Sequence, residues 1–160
     1  MLLPQALVLA TLTPLITALV VPRAGGPSFN PIPADCTVPN PLPCTSGQPP
    51  QNYSSTNILP STSVVTAHRI YQYYLPLPDY ESMANRWEGC LEQCNGLSGC
   101  VAAFMADGVP TPAGWFGTAG GDRDRACWMF NATLAEGDFT AVGAEGTGNA
   151  TAGNIVCPGK

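Results

Sequence analysis

The stretch 87–100, WEGCLEQCNGLSGC, restricts what this chain can fold into more than any other, together with the later Cys127 in ACWMFNATL. Cys90 and Cys94 are four residues apart, so on a helix they project from one face, one turn above the other. Cysteines stacked in this way reach outward to different partners instead of closing on each other, and Cys100 and Cys127 are the available ones. Met83, Trp87, Cys90, Leu91 and Cys94 follow the spacing of a single apolar stripe, which must pack on a sheet. The helix has recognisable ends. Asp79 or Ser82 can cap it, Glu81 suits the positive N-terminal end, and Gly96 fits a left-handed position after the last turn. Gly89 inside the helix costs up to about 1 kcal/mol relative to alanine, which predicts close approach of the sheet or another chain segment.

Strands are expected on either side of this helix. Residues 64–75, VVTAHRIYQYYL, are rich in β-branched and aromatic side chains and read as one strand. Tyr71, Tyr73 and Leu75 fall on one face, Ile70 and Tyr74 on the other, as in a strand near the middle of a small sheet. Residues 100–106, CVAAFMA, read as a buried strand, and 127–133, CWMFNAT, as another, with 138–142 and 154–157 as further short candidates. Between them, residues 107–126, DGVPTPAGWFGTAGGDRDRA, show no periodic pattern, and structureless loops of that length are often functional.

Residues 1–20 carry an interrupted apolar run followed by small residues and read as a secretory signal peptide, although no basic residue precedes Arg23. No second run of membrane-spanning length is expected, nor a hydrophobic C-terminal tail of the kind a lipid anchor needs. Residues 21–63 are rich in proline, serine and asparagine, which excludes helix and predicts an extended or irregular arm. Within the arm, NPIPADC and NPLPC form a short imperfect repeat, read as two cysteine-tethered arms or as a biased linker. Residues 64–160 form the domain. Seven cysteines fit an oxidising, extracellular or cell-wall location, and Asn52, Asn131 and Asn149 are N-glycosylation acceptors in sequence. Six basic residues against eleven acidic ones argue against nucleic acid or anionic membrane as partner, because both need a basic patch.

The NGLSG segment between Cys94 and Cys100 allows the reversal that would bring those two together, and Cys90 with Cys127 would then staple helix to sheet. In the chain-entropy account the two closures contribute about 2.4 and about 3.9 kcal/mol. The order of strand, helix with C-L-E-Q-C, G-C-x-A-x-F, variable loop and C-W-M-F-N before a closing cysteine resembles the PAN/Apple superfamily, in particular small secreted Apple-like proteins of filamentous fungi. The resemblance covers about residues 64–157. It implies an α+β fold, an antiparallel sheet of about five strands with one helix packed on it. It also implies the pairs Cys90 with Cys127 and Cys94 with Cys100. A disulfide joining the termini would take Cys157 with Cys36 or Cys44, or Cys36 could instead close on Cys44. The odd cysteine points to an intermolecular disulfide and a linked dimer.

Enzymatic readings lack their residue sets. His68 is the single histidine, far along the chain from every cysteine, and reads as an ordinary strand residue. A zinc site from C-x3-C-x5-C would need Cys127 as its fourth ligand, and an oxidising compartment favours disulfides. Asp122 and Asp124 form D-x-D without a nucleotide-binding fold around it, and Glu88 with Glu92 lies on the polar helix face. No catalytic residue, metal or cofactor is therefore assigned. The resemblance instead implies a binding module for extracellular carbohydrate or protein, with a structural cell-wall or matrix component as the second reading. Candidate contacts are Trp115, Phe116, Asp122, Arg123, Asp124 and Arg125: flat aromatic faces beside directional donors. The competing expectation is that Trp115 and Phe116 tuck under the loop as a small core.

Overall fold

A computed structural model describes residues 26–43, 57–143 and 146–158; residues 1–20, expected as a signal peptide, Cys44 and Asn52 lie outside them. The elements in chain order are β1 (Ile58–Pro60), α1 (Thr62–His68), β2 (Arg69–Leu75), α2 (Met83–Gly96), β3 (Ala102–Pro110), β4 (Arg123–Phe130), β5 (Phe139–Ala141) and β6 (Gly148–Asn154). The fold is α+β. Four strands form an antiparallel sheet in the order β2-β4-β3-β6, and β1 pairs antiparallel with β5 in a separate two-stranded ribbon.

Alternation along the central strands divides the core in two. Ala103, Met105, Cys127 and Met129 face α2, whose Trp87, Cys90, Leu91 and Cys94 are buried against them. Phe104, Ala126, Trp128 and Phe130 face the opposite way, toward the ribbon, with Val64 and Val65 of α1 packed alongside. Ser82 caps α2 through its side chain, which accepts the Asn85 N–H at 3.2 Å. Three disulfides hold these layers: Cys90–Cys127, Cys94–Cys100 and Cys36–Cys157. Of the two partners open to Cys157, the structure uses Cys36.

Several expectations are corrected. Residues 64–68 are helical. Arg69 is opposite Phe130, the last residue of β4, so an extended 64–68 would have no strand to pair with. Helix closes those backbone bonds internally. The strand that does form, β2, is at the edge of the sheet, next to β4 alone. The α+β expectation holds, with α1 added to the helix packed on the sheet and the strands, expected as about five, numbering six in two sheets among the described residues.

The arm is not irregular throughout, since β1 forms within it. Residues 26–43 also fold onto the domain: the Asn30 N–H donates to the Glu92 carbonyl at 3.1 Å, Thr37 bridges to Val156, and Leu42 is buried in the core on the ribbon side. Phe29 lies 3.3 Å from where a Cβ on Gly89 would stand, the close approach expected at that glycine. Gly96 is not left-handed. It ends α2 where a Cβ would collide with the Ser28 carbonyl, and the left-handed glycine comes later, at Gly99 (φ 81°). The last strand falls on Gly148–Asn154 instead of 154–157.

Candidate functional site

The 107–126 segment expected as a loop is strand at both ends and irregular between them. β3 runs to Pro110 through a bulge at residues 107–108, where Gly108 has φ 71°, and β4 begins at Arg123. The irregular part shrinks to 111–122. Its base is tied by the Thr111 N–H donating to the Asp122 carbonyl at 2.8 Å and the Gly121 N–H to the Thr111 carbonyl at 2.9 Å.

Behind this hairpin lies a network of charges. Arg125 is 7% exposed and donates through Nε to Asp107 Oδ1 at 2.6 Å and through Nη1 to Asp79 Oδ2 at 3.0 Å. Arg86 grips the same Asp79 with two bonds, Nε to Oδ2 at 2.7 Å and Nη2 to Oδ1 at 2.9 Å. The Arg86 hydrogen bonds, helped by the Glu81 N–H and by the charges of Arg86 and Arg125, hold the Asp79 carboxyl well below the usual range against the opposing effect of burial. A guanidinium taken out of water needs such partners, so Arg125 belongs to the frame, not to a contact surface. Asn149 joins the same network, its Nδ2 donating to Asp107 Oδ2 at 2.8 Å. Asn131 is exposed, with its Oδ1 3.2 Å from His68 Nδ1.

The hairpin tip is different in character. Gly114 (φ 84°) turns the chain, and Trp115–Gly117 form one 3-10 turn held by Thr118, whose hydroxyl donates to the Trp115 carbonyl at 2.8 Å. Trp115 is half-buried, edge-on to Tyr74 with ring centroids 5.0 Å apart. Tyr74 is fixed in turn by the Trp128 Nε1–H, which donates to its hydroxyl at 3.2 Å, and burial raises its pKa. Phe116 stacks edge-on against Trp115 at 4.8 Å, yet is 88% exposed, with a left-handed φ of 46°.

The candidate residues therefore separate into three groups. Trp115 and Phe116 form an exposed aromatic step, of which only the inner ring is partly tucked. Asp122 and Arg123 are exposed on the flank, Arg123 donating to the Gly146 carbonyl at 3.0 Å. Asp124 and Arg125 turn inward. The Leu77 N–H bonds the Asp124 carboxylate, whose pKa is nevertheless raised by burial and by the neighbouring Asp122. Sequence reasoning did not single out Tyr80, which is fully exposed, or the Tyr74 ring that seats Trp115. Tyrosine in a strand or a proline-rich turn carries no sequence signal for either role.

The zinc reading does not apply, since Cys90, Cys94, Cys100 and Cys127 are all in disulfides. Among the described residues, no group of three or more His, Cys, Asp or Glu could hold a metal ion, and no helix is long and apolar enough to cross a membrane. Compared with models of known families, with curated proteins and with solved structures, the chain matches none.

Proposed function

We propose that this chain is a secreted, non-catalytic binding module that recognises a carbohydrate or protein ligand through the aromatic step at the β3–β4 tip. The observation that carries the reading is Phe116. A bulky residue in left-handed backbone costs about 1–3 kcal/mol, and a ring that remains in water returns little hydrophobic stabilisation. Here both costs fall on one residue, set on a tryptophan that is itself braced by the core. Strain kept in an exposed aromatic is the pattern of a presented contact, because a flat apolar face can stack on a sugar ring or anchor in a protein pocket. Three disulfides support an extracellular setting, and their pattern agrees with the likeness to PAN/Apple modules.

The test is binding of oxidised protein to a glycan array and to cell-wall and extracellular fractions, wild type beside Phe116→Ala. Capture that falls at least about tenfold in the variant, with an unchanged melting temperature, supports the reading. No capture in either format, or equal capture by the variant, refutes it.

A structural matrix component is the second reading. Three disulfides use six of the seven cysteines in the sequence, and the seventh, Cys44, lies outside the described residues. Non-reducing electrophoresis showing monomer alone, with all of the protein free in the medium, would count against it.

A further inference from the structure

On the β6 flank of the same hairpin, away from the aromatic step, the surface carries an open cavity of about 280 Å³. It lies where β3 outruns its neighbour. Asp107 is the last β3 residue opposite β6, so residues 108–110 have β4 on one side and no strand on the other. Leu59, Pro110 and Val142 supply apolar walls, and Arg123, Thr147 and three glycines the remainder. Glycine is needed at 146, because a Cβ there would lie 2.9 Å from a Val142 methyl and 2.7 Å from the Gly143 carbonyl. At Gly108 the absent side chain leaves the flank of the Arg123 guanidinium open, its Nε 3.8 Å from where a Cβ would stand.

Several polar groups of these walls are already bonded. The Thr147 hydroxyl donates to the Ile58 carbonyl at 2.9 Å and accepts the Ile58 N–H at 3.2 Å, while the Thr147 carbonyl accepts the Asn57 N–H at 2.7 Å. The Gly146 carbonyl accepts one N–H of Arg123. The rest of that guanidinium has further N–H groups to offer. Among the described residues the other arginines are engaged: Arg86 and Arg125 with carboxylates, and Arg69 over the Trp128 ring at 5.1 Å. Arg123 alone of the four has neither an ion pair nor a ring beneath it.

An apolar hollow with one uncommitted guanidinium sorts ligands by chemistry. A sugar would leave most of its hydroxyls facing hydrocarbon, a cation would be repelled, and a carboxylate could take two parallel N–H bonds. The volume is just under the range of about 300–1,000 Å³ usual for small-molecule sites, so the ligand body must be small. We propose that this cavity binds a small apolar monocarboxylate, with Arg123 receiving the carboxylate and Leu59, Pro110 and Val142 holding the hydrocarbon. The proposal does not depend on the aromatic step.

The experiment is calorimetric titration of the full oxidised protein with hexanoate and with benzoate, and with hexanol and benzyl alcohol as their uncharged counterparts. Saturable binding of at least one acid is expected, with its alcohol weaker by about tenfold or more. Arg123→Gln should bring the acid down to the level of the alcohol, Arg123→Lys should keep most of the acid's advantage, and Val142→Phe, which fills the hollow, should abolish both. Phe116→Ala should change none of these values, which separates this site from the tip. No binding of either acid, an Arg123→Gln variant that binds like wild type, or undiminished binding in Val142→Phe would each overturn the proposal. If Arg123→Gln does not fold, as judged by near-ultraviolet circular dichroism, the lysine and phenylalanine variants decide.

Discussion

Phe116 is the residue where conformation and side chain disagree most, and that disagreement can be measured. Phe116→Ala and Phe116→Gly both remove the ring, but only glycine accepts a φ of 46° without cost. Urea unfolding should therefore find the glycine variant more stable than the alanine variant by about 1 kcal/mol. Equal stabilities would mean that the tip relaxes and stores no strain. The two helical glycines make a second contrast. Gly89 faces an exposed phenylalanine ring that can swing aside, so Gly89→Ala should stabilise by up to about 1 kcal/mol through helix propensity. Gly96 faces the Ser28 backbone, which cannot swing, so Gly96→Ala should destabilise by about 1–3 kcal/mol. Thermal melts of the two variants should move in opposite directions. That Gly89 marks a close approach is readable from its place in an apolar-striped helix. The reason for Gly96 is not, because Ser28 lies 68 residues earlier in the chain.

At the scale of elements, the junction that matters joins the start of α2 to the hairpin, and Asp79 makes it by holding Arg86 and Arg125 together. Its carboxyl is shifted downward, so the stability it contributes is complete above the unfolded value of about 3.9 and is lost as pH falls below that through the folded value. Asp79→Asn should cost about 3 kcal/mol at neutral pH, since it leaves Arg125 buried with Asp107 as its remaining carboxylate. It should also flatten the acid limb of a stability-versus-pH series measured by urea unfolding; an unchanged limb would exclude Asp79 as its source. Tyr73, pushed up to about 12 chiefly by burial, should stay protonated in an ultraviolet titration until the fold itself gives way. The α2 helix was legible from its 3.6-residue stripe and its capping serine. By contrast, α1 was not, because VVTAH has strand-forming residues and becomes helix only where β4 has ended.

Across the whole molecule, Cys36–Cys157 spans 121 residues and draws the arm across the end of the sheet. Chain entropy alone assigns such a closure about 5 kcal/mol, so Cys36→Ser should lower the unfolding free energy by about 2–5 kcal/mol, with the denaturant midpoint as the measurement. A change smaller than about 1 kcal/mol would indicate that the packing of Val38 and Leu42 holds the arm without the bond.

What the residues determined by themselves was the local and covalent frame: an amphipathic helix with two cysteines on its buried face, apolar strands and a glycine-rich aromatic segment. Period, capping and cysteine spacing are short-range properties, and short-range physics suffices to read them. Only the tertiary structure decided that β2 is an edge, that the arm contributes a strand and a core leucine, and which of four neighbouring polar residues face inward. Arg123 and Arg125 are two apart on one strand and share its parity, yet Arg125 is drawn between two aspartates and Arg123 has no carboxylate partner among the described residues. Asp79 and Asp107 come from 46 and 18 positions away to make that difference, and no local pattern records their arrival.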